Sequence, residues 1–158
     1  MKNKIYNLAE LVSITDSLKN TGNTIVWTNG CFDIIHYGHI KYLQKAKEFG
    51  NILIIGLNTD DSVKLIKGND RPIFSLQYRS EVVAALESVD FVTSFSEETP
   101  YNAINLIKPN YVVKGGDYES GEVVGKDIVE EPVGGAERFC DGVTEAGSCQ
   151  LERSCDDR

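Results

Sequence analysis

Both histidines of the chain, His36 and His39, lie three residues apart, shortly after a β-prone segment that ends at Asn29-Gly30. On the first turn of a helix, this spacing holds both imidazoles on one face, beside free backbone N–H groups and the positive end of the helix dipole. Gly38 allows a bulky phosphate to approach the backbone, and Gly30 gives the turn its conformational freedom. The pattern predicts an anion-binding site with two additional hydrogen-bond donors.

The same histidines have two other interpretations. They could be structural, or they could join Cys31 as zinc ligands. A structural zinc site needs a fourth ligand and closed spacing, so the anion site is the stronger hypothesis. Cys31 is then expected to be a small residue beside the phosphates and not a nucleophile.

Basic residues follow this motif along the chain. Lys67 and Arg79 come after the second predicted strand, and open parallel sheets bind ligands at the carboxyl ends of their strands. Both are therefore candidates for phosphate binding, although each of them, like Arg71, could instead be a solvated surface charge. Three lysines of the preceding helix are expected on its outer face. These are Lys41, Lys45 and Lys47.

The elements that must position these residues alternate between strand and helix. The apolar run 52–57 lacks alternation, which is typical of a parallel strand covered by helices on both sides. Strand followed by helix at this spacing predicts an α/β fold, a Rossmann-like open parallel sheet with helices on both faces. We predict helices over 8–20, 38–49, 60–66, 75–88 and 100–107, and strands over 24–28, 52–57, 91–95 and 111–114.

The last part of the chain has a different character. We expect one domain over 1–131, with a helix at 123–131, and an irregular or disordered acidic tail over 132–158 that has neither alternation nor helical period. Three of the four cysteines lie in this tail and no C-x-x-C pair occurs, so the pattern is neither a disulfide framework nor a standard zinc site.

The net charge of −8 is unevenly distributed. Residues 1–118 hold 12 basic and 13 acidic residues, whereas residues 119–158 hold 4 basic and 11 acidic ones. An acidic chain does not provide the clustered Lys and Arg that a nucleic-acid-binding surface needs, so no nucleic-acid partner is expected. The nearly neutral body leaves a nucleotide pocket possible.

Membrane insertion and secretion are not expected. No apolar run approaches the ~18 residues that a membrane helix needs. Asn7 and Glu10 interrupt what would have to be the apolar core of a signal peptide. The sequence therefore predicts a cytoplasmic protein with no membrane partner.

The stretch from Thr28 to His39 resembles the signature of the nucleotidyltransferase superfamily with a His-x-Gly-His motif, which includes cytidylyltransferases. Further blocks are similar to those of the D-glycero-β-D-manno-heptose 1-phosphate adenylyltransferases, and the resemblance covers roughly residues 5–131. These blocks are Asn58-Thr59-Asp60, Lys67-Gly68, Arg71-Pro72-Ile73 with Arg79, the segment 84–90, and Val113-Lys114-Gly115-Gly116-Asp117-Tyr118.

The resemblance implies an enzyme that transfers AMP from ATP to a sugar 1-phosphate and releases pyrophosphate. It implies Mg²⁺ bound mainly through the triphosphate, with no dedicated metal site on the protein, and it implies a homodimer. Four residues would be catalytic by this resemblance: His36, His39, Lys67 and Arg79. Eleven would bind the nucleotide: Gly30, Cys31, Phe32, Asp33, Tyr37, Gly38, Lys64, Lys114, Gly115, Gly116 and Asp117.

Two alternatives remain open at the level of sequence. A cytidylyltransferase acting on glycerol 3-phosphate or phosphoethanolamine has a similar block at 114–118. A nucleotide-binding module without turnover is the other, because the Ser-Thr-Thr-like segment that closes the family's domain is not recognisable here. Asp141-Gly142-Val143-Thr144 is only a fragment of the expected end.

Overall fold

Ten helices and strands form the described part of the computed structural model, which covers residues 3–115 and 139–143. The helices are α1 Leu8–Asn20, α2 Tyr37–Lys47, α3 Asp60–Lys67, α4 Leu76–Ala84 and α5 Tyr101–Ile107. The strands are β1 Ile25–Gly30, β2 Ile52–Asn58, β3 Phe91–Phe95, β4 Tyr111–Gly115 and β5 Phe139–Val143. The alternation of strand and helix matches the predicted order.

The five strands form one parallel sheet in the order β3-β2-β1-β4-β5. The chain moves outward from β1 through β2 to β3 and then crosses back to β4 on the other side of β1. A crevice forms at such a reversal, outside the carboxyl ends of the two central strands. The loop that follows β1 therefore begins at the position where an open α/β sheet binds ligands.

Helices cover both faces of the sheet. On one face, α2 and α4 contribute Leu43, Ala46 and Val83 to a core built on β1 and β2. On the other face, α1 and α5 contribute Leu11 and Ile104, among others, to a core that includes the buried Trp27. The prediction of a Rossmann-like open parallel sheet with helices on both faces is confirmed.

Local sequence signals explain several boundaries. The predicted helix 8–20 is confirmed. It begins after Asn7 because Asn7 and Glu10 form a capping box: the Glu10 amide donates to Asn7 Oδ1 at 2.9 Å, and the Asn7 amide donates to Glu10 Oε2 at 3.3 Å. β1 continues to Gly30 instead of ending at residue 28, since Asn29 and Gly30 pair with Gly56 and Leu57 of β2.

The helix predicted over 75–88 is too long. α4 ends at Ala84, and the carbonyl groups of Leu86 and Val89 accept hydrogen bonds from Lys4 Nζ at 3.1 and 2.6 Å. A lysine far away in sequence thus satisfies carbonyl groups in the turn after the helix. Propensity within the segment carries no information about such a contact.

The expectation of an irregular tail is wrong for five of its residues. Phe139–Val143 form β5, which pairs with β4 so that Phe139 lies beside Val112 and Val143 beside Gly115. Asp141 and Gly142 disfavour a strand intrinsically, but pairing with an existing strand overrides such preferences. Three features lie outside the described residues: the helix predicted at 123–131, the proposed boundary at residue 131, and the cysteines Cys149 and Cys155.

Within the described ranges, no helix is both long enough and apolar enough to cross a lipid bilayer.

Candidate active site

The two histidines lie where β1 passes into α2, and their side chains cap that helix. His36 is the N-cap residue, and its Nδ1 accepts a hydrogen bond from the Gly38 amide at 3.1 Å. The His36 amide in turn donates to His39 Nδ1 at 3.4 Å. The two rings are 4.0 Å apart between centroids. The structure therefore brings both predicted histidines to the first turn of a helix, as their spacing indicated.

These contacts define the tautomer of each imidazole. Because Nδ1 is the acceptor in both His36 and His39, a neutral ring carries its proton on Nε2, an assignment made from the hydrogen-bond pattern. Each ring then presents an Nε2–H donor that its capping bond does not use. Two donors at the positive end of a helix suit an anion with several oxygens, such as a phosphate.

His39 is held in its neutral form. Its pKa lies below the usual value, chiefly because burial disfavours the imidazolium, and further because of electrostatic repulsion from His36 and Lys67. At pH 7 the ring is therefore neutral, and it can donate a hydrogen bond without a change in its protonation state.

Lys67 lies near this site at the last turn of α3, whereas Lys64 is engaged elsewhere. The charge of Lys67 contributes to the electrostatic environment of both Cys31 and His39. Lys64 instead forms a surface ion pair with Asp61, at 3.3 Å between Nζ and Oδ1. Burial raises the pKa of the Cys31 thiol, against the opposing charges of Lys67 and Arg79, so the thiol stays protonated at pH 7.

Asp33 faces the protein rather than an open site. Its side chain is 7% exposed, and its carboxylate accepts hydrogen bonds from the amides of Ile73 and Phe74 at 2.9 and 3.0 Å and from Arg71 Nη1 at 3.0 Å. Burial alone would raise its pKa, but these hydrogen bonds outweigh that effect and hold the pKa below its usual range. Asp33 thus anchors the loop that precedes α4, and its expected contact with nucleotide stays a prediction.

Asp33→Asn should destabilise the fold by roughly 1–3 kcal/mol at pH 7, because hydrogen bonds to a charged group are lost. The pKa of Asp33 in the folded protein is below the unfolded value of about 3.9. The carboxylate therefore makes its full contribution to the free energy of unfolding above about pH 3.9, and this contribution is lost as the pH falls through the folded pKa. Denaturant unfolding of wild type and variant should differ most at pH 7, and the difference should shrink as the pH falls below about 4 toward the folded pKa.

Asp61→Asn is the matched control for this experiment, because the Asp61 side chain is 93% exposed and forms only the surface pair with Lys64. It should change the free energy of unfolding by at most about 1 kcal/mol at any pH. A cost of Asp33→Asn that is equal at pH 7 and at about pH 3 would contradict the role of the charge.

Arg79 is likewise built into the protein. Its residue is 1% exposed, and its guanidinium donates to the carbonyl oxygens of Phe74, Cys31 and Asn58 at 3.0, 2.6 and 2.9 Å. It also donates to the Asp60 carboxylate at 2.7 Å. These contacts join the ends of β1 and β2 to the segment before α4, and the expected catalytic role of Arg79 stays a prediction.

Lys114 and Asn29 meet at the carboxyl ends of β4 and β1. Lys114 Nζ donates to Asn29 Oδ1 at 2.8 Å, and the Trp27 indole N–H donates to the same oxygen at 3.3 Å. Burial lowers the pKa of Lys114 to about 8. Asn29 was not among the predicted site residues, although a polar amide at the end of a buried strand could have indicated it.

The remaining predicted residues are placed as follows. Tyr37 is 70% exposed, with Lys41 Nζ 5.6 Å from the centre of its ring. Phe32 is buried, and a Cβ on Gly38 would lie 3.0 Å from His36 Cε1, so the glycine accommodates the capping ring. Gly115 is the last residue of β4, and Gly116 and Asp117 lie outside the described residues.

No group of three or more His, Cys, Asp or Glu that could hold a metal ion occurs in the ranges that the structure describes. Two nearby carboxylates, Asp33 and Asp60, are already bound to Arg71 and Arg79.

Comparison with known sequences gives consistent results. The sequence profile of the Cytidylyltransferase-like family matches residues 27–131. The chain is 54% identical over 127 residues to the bifunctional protein HldE of Aliarcobacter butzleri and 48% identical over 141 residues to that of Geotalea uraniireducens. These alignments cover 80% and 88% of the chain but only 27% and 29% of those proteins, so the chain spans less than a third of the curated relatives it matches.

Solved structures support the fold. The lipopolysaccharide core biosynthesis protein from Thermoplasma volcanium superimposes with a TM-score of 0.60 at 28% identity, over 70% of this chain and 88% of that one. The pantoate-beta-alanine ligase from Francisella tularensis gives a TM-score of 0.51 at 18% identity, over 71% of this chain and 56% of that one, which supports the fold alone. Together the sequence and structure comparisons confirm the resemblance to nucleotidyltransferases and the expectation of an enzyme of this type.

Proposed function

The chain belongs to the cytidylyltransferase-like family, and from this premise we propose that it transfers AMP from ATP to D-glycero-β-D-manno-heptose 1-phosphate, giving ADP-heptose and pyrophosphate. The observation that carries the proposal is the pair of Nε2–H donors that His36 and His39 present at the start of α2. The sugar substrate is supported by the sequence blocks described above and by the relative from Thermoplasma volcanium, which is named as a lipopolysaccharide core biosynthesis protein.

The proposed reaction is one displacement at the α-phosphorus of ATP. An oxygen of the sugar phosphate forms a bond to that phosphorus, and the bond from the α-phosphorus to the oxygen of the β-phosphate breaks, so pyrophosphate leaves with its electron pair. A phosphate nucleophile is already ionised at neutral pH and needs no general base. Catalysis then consists of aligning the reactants and stabilising the charge on the equatorial and leaving oxygens.

The histidines and Lys67 fit that requirement. His36 and His39 would donate from Nε2 to phosphate oxygens, and the low pKa of His39 keeps its ring neutral, so that no proton is lost to the phosphate. Lys67 would add a positive charge beside them from the end of α3. The backbone at Cys31 and Phe32 would line the nucleotide, with Lys114 near the end of β4.

Arg79 and Asp33 would act at a distance from the reacting atoms. Arg79 holds the Cys31 carbonyl, and Asp33 holds the loop at Ile73 and Phe74, so both support the segment that carries the histidines. Mg²⁺ would enter with the triphosphate and neutralise part of its charge, as the resemblance implies.

The proposal extends to the organisation of the protein. We assign the nucleotidyltransferase domain to 1–131, with β5 from the following segment added to its sheet. We also propose that the protein forms a homodimer, as the resemblance implies. Four apolar side chains exposed at the surface support this proposal. They are Ile73, Phe74, Tyr78 and Val82, each 48–65% exposed. The reaction would take place in the cytoplasm, where ATP is supplied.

Pyrophosphate release tests the function. ATP and CTP are each supplied with Mg²⁺ and with heptose 1-phosphate, glycerol 3-phosphate or phosphoethanolamine, and reactions without acceptor measure hydrolysis. We expect release with ATP and the heptose 1-phosphate that exceeds all other pairs by at least about tenfold, a transition-state difference of roughly 1.4 kcal/mol. Preference for CTP with an alcohol phosphate would favour the cytidylyltransferase, and release from no pair would favour a binding module without turnover.

A further inference from the structure

Phe32 has an unusual backbone conformation for a bulky residue. Its φ is +45°, and it is one of two non-glycine residues with positive φ in the described part of the chain. An aromatic residue in this region is uncommon and is held there only by surrounding contacts. The side chain is 6% exposed, so its contacts lie within the protein.

The ring of Phe32 lies between the end of β1 and the second histidine. A Cβ built on Gly30 would be 3.2 Å from Phe32 Cε2, which shows how closely the ring approaches the backbone of that glycine. On the other side, the centroids of the Phe32 and His39 rings are 5.3 Å apart with a 52° tilt. This distance and tilt are within the range of favourable aromatic pairs.

His39 needs such support because its own hydrogen bond is weak. The His36 amide lies 3.4 Å from His39 Nδ1, beyond the usual 2.7–3.2 Å of an N–H···O bond in proteins. The χ2 torsion of histidine is broad and is not fixed by a rotamer preference. Two neighbouring rings, His36 at 4.0 Å and Phe32 at 5.3 Å, pack against the imidazole and limit its rotation.

We propose that the side chain of Phe32 is a positioning residue that fixes the orientation of the His39 imidazole, so that its Nε2–H faces the phosphate site. This role differs from that of the Phe32 backbone, which was expected to line the nucleotide. The catalytic consequence rests on the proposed function, whereas the orientation of His39 can be measured without any substrate.

Phe32→Leu tests the proposal, because it removes the ring but keeps a Cβ and therefore leaves the backbone cost at positive φ similar. Phe32→Met, closer in volume, is the second variant if the leucine variant is unstable. Phe95→Leu is the matched control: Phe95 is 4% exposed at the end of β3, and one of its ring atoms, Cε1, would lie 3.3 Å from a Cβ on Gly56.

Imidazole NMR gives the substrate-free measurement. The chain has two histidines, so two sets of ring signals are expected, which a His36→Gln variant assigns. In the Phe32 variants the nitrogen chemical shifts of the His39 ring should show a mixture of Nε2–H and Nδ1–H tautomers, because a ring that is free to rotate no longer keeps Nδ1 on the His36 amide. Phe95→Leu should leave the tautomer of His39 unchanged.

Activity gives the second measurement. We expect kcat to fall about tenfold in Phe32→Leu or Phe32→Met, with KM for ATP changing less than about twofold. The reason is that a wrongly oriented Nε2–H of His39 weakens binding of the transition state more than binding of ATP. Phe95→Leu should keep wild-type kcat under conditions in which it is folded.

An unchanged His39 tautomer in a folded Phe32 variant would overturn the positioning role, as would equal effects of Phe32→Leu and Phe95→Leu. If the wild type makes no nucleotide sugar, the proposed function fails, and the tautomer of His39 still decides whether Phe32 positions its ring.

Discussion

His39→Ala is expected to lower kcat by about 10²- to 10³-fold, the loss that follows removal of one preorganised donor to a developing oxyanion. His39 is held neutral by burial, and its Nε2–H is the donor that its capping contact leaves for a ligand. The variant should remain folded, since the capping bond from the Gly38 amide goes to His36 and is retained. Steady-state pyrophosphate release, with denaturant unfolding in parallel, measures both effects.

Lys45→Ala is the matched control on the same helix. Lys45 pairs with Glu48 at 2.5 Å on the surface of α2, and exposed pairs of this kind contribute about 0–1 kcal/mol. It should leave kcat within about twofold of wild type, a barrier change of roughly 0.4 kcal/mol. A fully active His39→Ala variant would contradict the assignment of the histidines.

Arg79→Met is expected to lower the free energy of unfolding by about 3–5 kcal/mol, because it removes the hydrogen bonds of a buried guanidinium and leaves the carbonyl oxygens that it binds without their donor. The substitution leaves the Asp60 carboxylate without its guanidinium and removes the donor to the carbonyl oxygens of Cys31 and Asn58. Denaturant unfolding monitored by the fluorescence of the single tryptophan measures the change.

Lys64→Met provides the comparison for Arg79→Met, because it also removes a cation from a pair with an aspartate. The Lys64–Asp61 pair lies at the surface of α3, with the carboxylate 93% exposed. Its loss should cost less than about 1 kcal/mol. Comparable losses in the two variants would mean that the buried contacts of Arg79 do not join the ends of β1 and β2 in the way described.

The sequence was sufficient to predict features that depend on neighbouring residues. The capping box of Asn7 and Glu10, the strand at 91–95 and the pair of histidines on one helical turn all follow from spacing within a few positions. The fold class followed as well, because apolar runs without alternation require helices on both faces.

Features that depend on distant contacts were not predictable in this way. Asp33 and Arg79 have side chains common in phosphate sites, and only the structure shows that their partners lie about 40 to 50 positions away, at Ile73 and Cys31. β5 was missed for a similar reason, since Asp141 and Gly142 join the sheet through backbone pairing with β4. From residue type and sequence position alone, a charged side chain that binds a ligand cannot be distinguished from one that holds two segments of the protein together.

The transfer of oxygen from labelled substrate tests the central claim most directly. Heptose 1-phosphate carrying oxygen-18 in its phosphate is incubated with ATP and Mg²⁺, and the products are analysed by phosphorus NMR and mass spectrometry. If the sugar phosphate attacks the α-phosphorus, the label is found in ADP-heptose, including the oxygen between its two phosphorus atoms, and pyrophosphate is unlabelled. Accumulation of AMP and pyrophosphate while the labelled sugar phosphate stays unreacted, or label in any other product, would contradict the proposed reaction.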